Sequence, residues 1–393
     1  MGRGMCLGDK IMALFLFFVT LSVTDFIVIQ YPFITIIMVV LLLVLFFLQL
    51  DKEKYRIYLK KSIVIYFFSY NCCLGLFLVS SITPNPNSLL VMPFVAYLTF
   101  ILLLKKDKGL LILDYSLKLF LIVLIVVAII ELFVKFGILE LPFYENFLLN
   151  VGEKRLDVFR VRTLFGSSLS VSAICIVLMI YFMYLKKSLF FIVLNLLLIL
   201  LSGSRTPIVI SVILFIGYFI SKSNFFTINK KNIFIIIVSF FSVPYFLYYL
   251  VSINERMLLI FSRGFDIAVD DSVRGREDTT IKTFLLILEN FPNTLFGGLK
   301  EAWVSDSAFI SIMATSGIII TILYLVYIVY LIKNIQVLKS LRKSVIILCF
   351  LLAGFMVGDL LIPASSYCLF LILFIYVDKK TQRIKYESIT SNR

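Results

Sequence analysis

Apolar runs of about 17–21 residues follow one another along nearly the whole chain, and that is the length a helix needs to cross roughly 30 Å of hydrocarbon. "ITIIMVVLLLVLFFLQL" and "LLILDYSLKLFLIVLIVVAII" are two of them. In hydrocarbon each backbone N–H and C=O must be satisfied within its own segment, so a series of such runs folds as a helical bundle. A chain that is 61% hydrophobic and 15% charged, with a mean hydropathy of +1.07, reads as a polytopic membrane protein rather than a soluble domain with a large core. We place spans at 11–30, 31–50, 62–82, 89–104, 113–136, 169–185, 188–203, 206–221, 233–251, 307–332, 345–360 and 361–377. The fold expected is all-α, with about 12 transmembrane helices in a single integral domain covering 1–393. "IMALFLFFVTLSV" follows a basic start as a signal peptide would, but no small-residue cleavage site follows, so it is read as the first span.

Charge orients this bundle. The net charge of +14 suggests nucleic acid at first sight, but most lysines fall in short clusters between spans, which excludes a nucleic-acid patch. "DKEKYRIYLKK", "KKDK", "KK" at 186–187, "NKKN", "KSLRK" and "DKKTQRIK" alternate onto one side with the basic N-terminus. By the positive-inside rule that side is cytoplasmic, with both termini. The opposite side receives the turn 83–88 and two long segments, 137–168 and 252–306. There the cation is mostly arginine: Arg155, Arg160, Arg162, Arg205, Arg256, Arg263, Arg274 and Arg276. Each could pair with a loop carboxylate. Collected on the side that usually lacks them, they point to an anionic ligand, since a guanidinium grips phosphate oxygens in a fork.

Individual segments sharpen this. "LILLSGSRTPIVIS" sets Arg205 between two apolar runs, and a guanidinium cannot shed its charge there. The alternation of sides places it at the extracytoplasmic mouth of both spans. Ile281, Phe284, Leu285 and Leu288 recur at i, i+3, i+4 and i+7, so 276–290 is predicted as an amphipathic helix at the outer interface, with Arg276, Glu277 and Asp278 in its first turn. Asp306 and Ser307 open the next span as a helix-capping pair would, with Phe309, Ile310, Met313 and Gly317 on one bundle-facing side. Glu131 and Lys135 stand four apart and read as a structural pair, while Asp25 and Asp359 sit at outer span ends. No histidine exists, which removes the commonest metal ligand and general base. The six cysteines have no metal-ligand spacing and form no disulfide framework.

Four of these segments, in this order, resemble one family. "RVRTLFGSSLSVSA", "LLSGSRTPIVIS", "GREDTTIKTFLLILENFPNTLFGG" and "DSAFISIMATSGI" look like landmarks of the Wzy-type polysaccharide polymerases and are similar to those of the related O-antigen ligases. The resemblance spans about residues 155–335; the first five spans are alike only in hydropathy. It implies a glycosyltransferase-C-like bundle whose two outer loops form the active-site face. It further implies transfer of a growing chain from undecaprenyl diphosphate to a new lipid-linked repeat unit on the outer leaflet of a bacterial plasma membrane. Donor and acceptor would both be undecaprenyl-diphosphate-linked oligosaccharides, with membrane lipid and a polysaccharide chain-length regulator as further partners, no nucleic acid, no cofactor and no metal.

Carried over, the family's outer arginines fall on Arg162, Arg205 and Arg276. Arg205 and Arg276 then act with Asp306 in catalysis, and Arg160, Arg162, Arg274, Ser204 and Ser307 hold the diphosphate or sugar. Ser202-Gly203-Ser204 would give a close backbone approach. Where the ligases carry a histidine this chain has Asp306, which favours polymerase over ligase and makes Asp306 the candidate base. The rival reading is a flippase for the same lipid-linked sugars. It calls for cations deep in several spans and an internal repeat, whereas only Lys118 and Lys135 lie within spans here and no repeat is evident.

Overall fold

The computed structural model describes residues 5–48, 88–104, 108–135, 138–150, 160–222, 271–295 and 307–390. Among them every regular element is helical. Two predicted spans, 62–82 and 233–251, lie outside the described residues, as does Asp306. Two helical stretches, Gly109–Val134 and Ser168–Lys186, are long and apolar enough to cross a membrane, and six shorter apolar helices accompany them.

The first predicted span divides into α1 (Leu7–Ser22) and α2 (Asp25–Gln30). Hydroxyls end α1: Ser22 and Thr24 donate to the carbonyls of Val19 and Leu21, capturing acceptors that a further helical turn would need. After α3 (Pro32–Leu48), α4 (Ser88–Leu104) and α5 (Gly109–Lys135) comes a short α6 (Pro142–Asn150) inside a segment predicted only as loop. Next is α7 (Ser168–Ile180), prolonged by a π-helical turn, Tyr181–Lys186, that stops where Lys187 turns left-handed. α8 (Leu189–Leu201) and α9 (Arg205–Lys222) are joined by the Ser-Gly-Ser turn.

α10 (Asp271–Glu289) is the predicted amphipathic helix, begun slightly earlier. The stripe Ile281, Phe284, Leu285 and Leu288 is its exposed face, while Ile287 packs with Ile310 and Ala314 of the next helix. The predicted span 307–332 is two helices, α11 (Ala308–Ser316) and α12 (Ile318–Asn334). Gly317 breaks it with φ 91° and ψ 161°, a conformation essentially confined to glycine. α13 (Ser340–Met356), a 3-10 turn (Gly358–Leu361) and α14 (Pro363–Thr390) complete the described chain.

α7 is the axis of the bundle: each residue from Ser170 to Tyr184 is buried, and Asn195 of α8 donates to its Cys175 carbonyl at 2.8 Å. Residues 364–377 of α14 are equally buried, and α14 packs against α4 and α7. α3 buries only Leu42.

Helix directions sort the loops into two ends. Ser221, near the end of α9, meets Arg342 at the start of α13, so these packed helices run antiparallel. Asp114, early in α5, meets Tyr181 and Lys186 at the end of α7, while Glu131, late in α5, meets the segment preceding α7. One end therefore gathers Asp9, Lys108, Asp114, Lys186 and the start of α13. The other gathers residues 160–167, the 202–205 turn and the end of α13.

Candidate functional site

The second end carries the residues of interest, and a buried carboxylate organises it. Glu131, fully buried, accepts the Arg162 N–H at 3.0 and 2.8 Å on its two oxygens and the Thr163 N–H at 2.7 Å on Oε2. The Tyr144 hydroxyl lies 2.9 Å from Oε2 and 2.7 Å from the Thr163 carbonyl oxygen, closing the ring from α6. A carboxylate accepting backbone donors forms charge-assisted hydrogen bonds, the stronger class. Here they hold Thr163 at φ 53°, where a β-branched residue is rarely found. Sequence reading paired Glu131 with Lys135. Its described bonds go to the Arg162 segment and Tyr144, and the side chain of Lys135 lies outside the described residues.

Three further ties fix this loop. Asp25 Oδ2 accepts the Gly166 N–H at 2.9 Å, and the Phe26 N–H donates to the Leu164 carbonyl. Val161 N–H donates to the Leu201 carbonyl at 3.0 Å, which brings the Arg162 segment against the Ser-Gly-Ser-Arg turn. Arg162 Nη1 donates to Gly166 O at 2.9 Å, and Arg160 is half-buried at the start of the loop.

Gly203 was expected to permit close approach of a ligand. In the structure it takes φ 61° to end α8, so that α9 can begin at Arg205. Ser204 is buried beside it. Ser167 caps α7 by accepting the Ser170 N–H, and Ser172 and Ser202 hydroxyls meet at 3.2 Å. The hydroxyls of Thr163, Ser365 and Ser366 are buried without a hydrogen-bond partner among the described residues. Sequence reasoning passed over this hydroxyl group, although the serine-rich start "GSSLSVS" signals it.

Ser307 is the N-cap of α11 by backbone conformation, yet its side chain makes no capping bond and donates instead to the Gly354 carbonyl at 3.3 Å. Asp306 stands one residue before Ser307 and lies outside the described residues. Phe309 and Ile310 are buried as expected, and the Phe309 ring lies flush on Gly354. The 3-10 turn 358–361, which holds Asp359, packs on both α7 and α11.

Arg205 occupies the first position of α9, and Arg274 and Arg276 stand in the first two turns of α10; the side chains of all three are outside the described residues. The structure thus joins the Arg162 loop, the Ser204-Arg205 turn and the Ser307 start of α11 at one end of the bundle. α10 joins them through its second half alone, packed on α11.

Chemically this end suits an anion. α7, α9, α11 and α14 all begin here, and the start of a helix carries a partial positive charge. Comparison of the chain with family models, with curated proteins and with solved structures finds no match.

Proposed function

We propose that the chain is an integral membrane glycosyltransferase that polymerises undecaprenyl-diphosphate-linked repeat units on the outer leaflet of the bacterial plasma membrane. The reading takes about 12 spans, cytoplasmic termini and the Arg162 end facing outward. One observation carries it: the backbone bond from Val161 to Leu201, which sets the Arg162 loop beside the turn that opens at Arg205. A diphosphate leaves readily once its charge is neutralised by donors already in place. In this reading Arg162, Arg205 and Arg276 do so, with Arg160, Arg274, Ser204 and Ser307 lining the site. Asp306 takes the proton of the acceptor hydroxyl. The lipid tails enter between helices, so the diphosphate rests at the interface.

A deletion strain tests the class of activity. Single lipid-linked repeat units displayed outside the cell are expected; units trapped inside would make the protein a flippase. Thiol labelling tests the sidedness: cysteines placed at Lys154 and Asp270 should react with an impermeant reagent in whole cells and one at Lys231 should not. For the clamp, Arg276→Lys should damage polymer synthesis nearly as much as Arg276→Ala, since lysine keeps the charge but loses the fork. Full polymer from Arg276→Ala at normal protein levels would remove that residue from the site.

A further inference from the structure

The opposite end holds a charge that the proposed reaction does not use. Arg342, in the first turn of α13, is only 8% exposed. Its Nε donates to Ser221 Oγ at 2.8 Å and its guanidinium carbon stands 5.4 Å from the centre of the Tyr218 ring. These two contacts, both from α9, occupy the inner edge and one face of the fork. No carboxylate pairs with it among the described residues.

The sequence explains why. There is no Asp or Glu from residue 158 to residue 254, nor from 307 to 358. Those stretches comprise α7, α8, α9, α11, α12 and α13, which include the helices α9, α11 and α12 that pack on α13 among the described residues. The same end carries Lys186, Lys187, Lys333, Lys339 and Lys343. A buried cation without a counter-charge is costly, and a bound anion supplies one.

We propose that Arg342 binds the phosphate of an anionic phospholipid, with the outer edge of its fork on the phosphate oxygens. Lipid is favoured over free phosphate by the apolar side chains that the two helices holding the guanidinium expose. Ile216 and Ile220 on α9 and Leu341 and Leu348 on α13 are exposed apolar side chains, placed to meet acyl chains below the headgroup. Arginine and lysine clusters near a membrane surface attract anionic lipids for the same electrostatic reason. The proposal rests on the membrane part of the reading above and is independent of glycosyl transfer.

The test uses the full chain reconstituted in nanodiscs of phosphatidylcholine with or without phosphatidylglycerol, followed by native mass spectrometry of the released protein. Wild type should retain phosphatidylglycerol, and Arg342→Gln should lose about tenfold of it, the scale of a charge-assisted hydrogen bond. Lys339→Gln, an exposed neighbour, should change retention by no more than about twofold. Equal retention by wild type and Arg342→Gln would overturn the proposal. Displacement by millimolar inorganic phosphate, with no preference between the two lipids, would assign the site to free phosphate and overturn the lipid. Should Arg342→Gln fail to accumulate, Ser221→Ala is read in its place: it frees Nε and should lower retention several-fold, and unchanged retention there also sinks the idea. A chain that binds phosphatidylglycerol through Arg342 yet makes no polymer would separate this site from the proposed activity.

Discussion

Both ends of the bundle hold buried or half-buried acidic groups, and they use them in opposite ways. At the Arg162 end, Glu131 and Asp25 accept backbone N–H groups, so their charge shapes a loop. At the lysine end, Asp114 meets side-chain cations, Lys118 at 2.8 Å and Lys186 at 3.6 Å, and takes a hydrogen bond from the Tyr181 hydroxyl. Asp9 likewise stands 3.8 Å from Lys108. A carboxylate that grips backbone fixes where neighbouring atoms sit. One that grips the ends of long, partly exposed lysine side chains neutralises charge and leaves geometry loose. The first kind belongs to a site that must be preorganised, the second to a boundary that must only be soluble in its surroundings.

Paired substitutions can break this contrast. The largest difference should come from activity: Asp306→Asn is expected to cost about 10²–10⁴ in polymerisation rate, the contribution of a positioned base, while Asp114→Asn leaves chain yield intact. Asparagine caps a helix about as well as aspartate, so near-normal polymer from Asp306→Asn would move the search for the base to Asp270, Asp271, Glu277 and Asp278. Stability should follow next. Glu131→Ala orphans two buried N–H groups and should cost roughly 3–5 kcal/mol in detergent unfolding, with Glu131→Gln milder because its oxygen still accepts. A loss no greater than that of Asp114→Asn would erase the distinction between the ends.

Smaller effects should come from two glycines. An alanine methyl at Gly354 would overlap the Phe309 ring, which is itself packed on Phe350 and Phe355, so about 1–3 kcal/mol is expected. At Gly217 the methyl meets both methyls and the Cβ of Val345, a β-branched side chain with little freedom to turn. Gly217→Ala should therefore also cost about 1–3 kcal/mol, reduced by the better helix propensity of alanine. The smallest effect belongs to Asp114→Asn, about 1 kcal/mol or less because its lysine partners are partly exposed; a larger loss would mean that this end is also geometrically tight.

Much of the helical layout was readable from the chain, and the failures have physical causes. Hydropathy located α4, α5, α7, α8 and α9 to within a few residues because long apolar runs have only one way to satisfy their backbone. It ran straight through Ser22–Thr24 and Gly317, since a hydroxyl or one glycine hardly moves a mean taken over many residues. Periodicity found α10 but assigned its apolar stripe no neighbour. The face against α11 is the one with Thr283 and Ile287, and the stripe points away. Of the site, the order of its segments was legible. The task of Glu131 was not, because the donors it serves are 31 and 32 residues further along the chain and no spacing rule reaches them.

The ties of the Arg162 loop also set an order of events during synthesis. The loop bonds back across 141 residues to Asp25, back to Glu131, and forward to Leu201. The ties to Asp25 and Glu131 can close once residues 160–166 have been made, whereas the tie to Leu201 waits for the end of α8, since a loop cannot bind to what has not yet emerged. The Val161 bond therefore waits on the arrival of α8, and a chain stalled or misdocked before that point holds the Arg162 loop from one side only. Maturation of the site thereby reports assembly of the first eight helices.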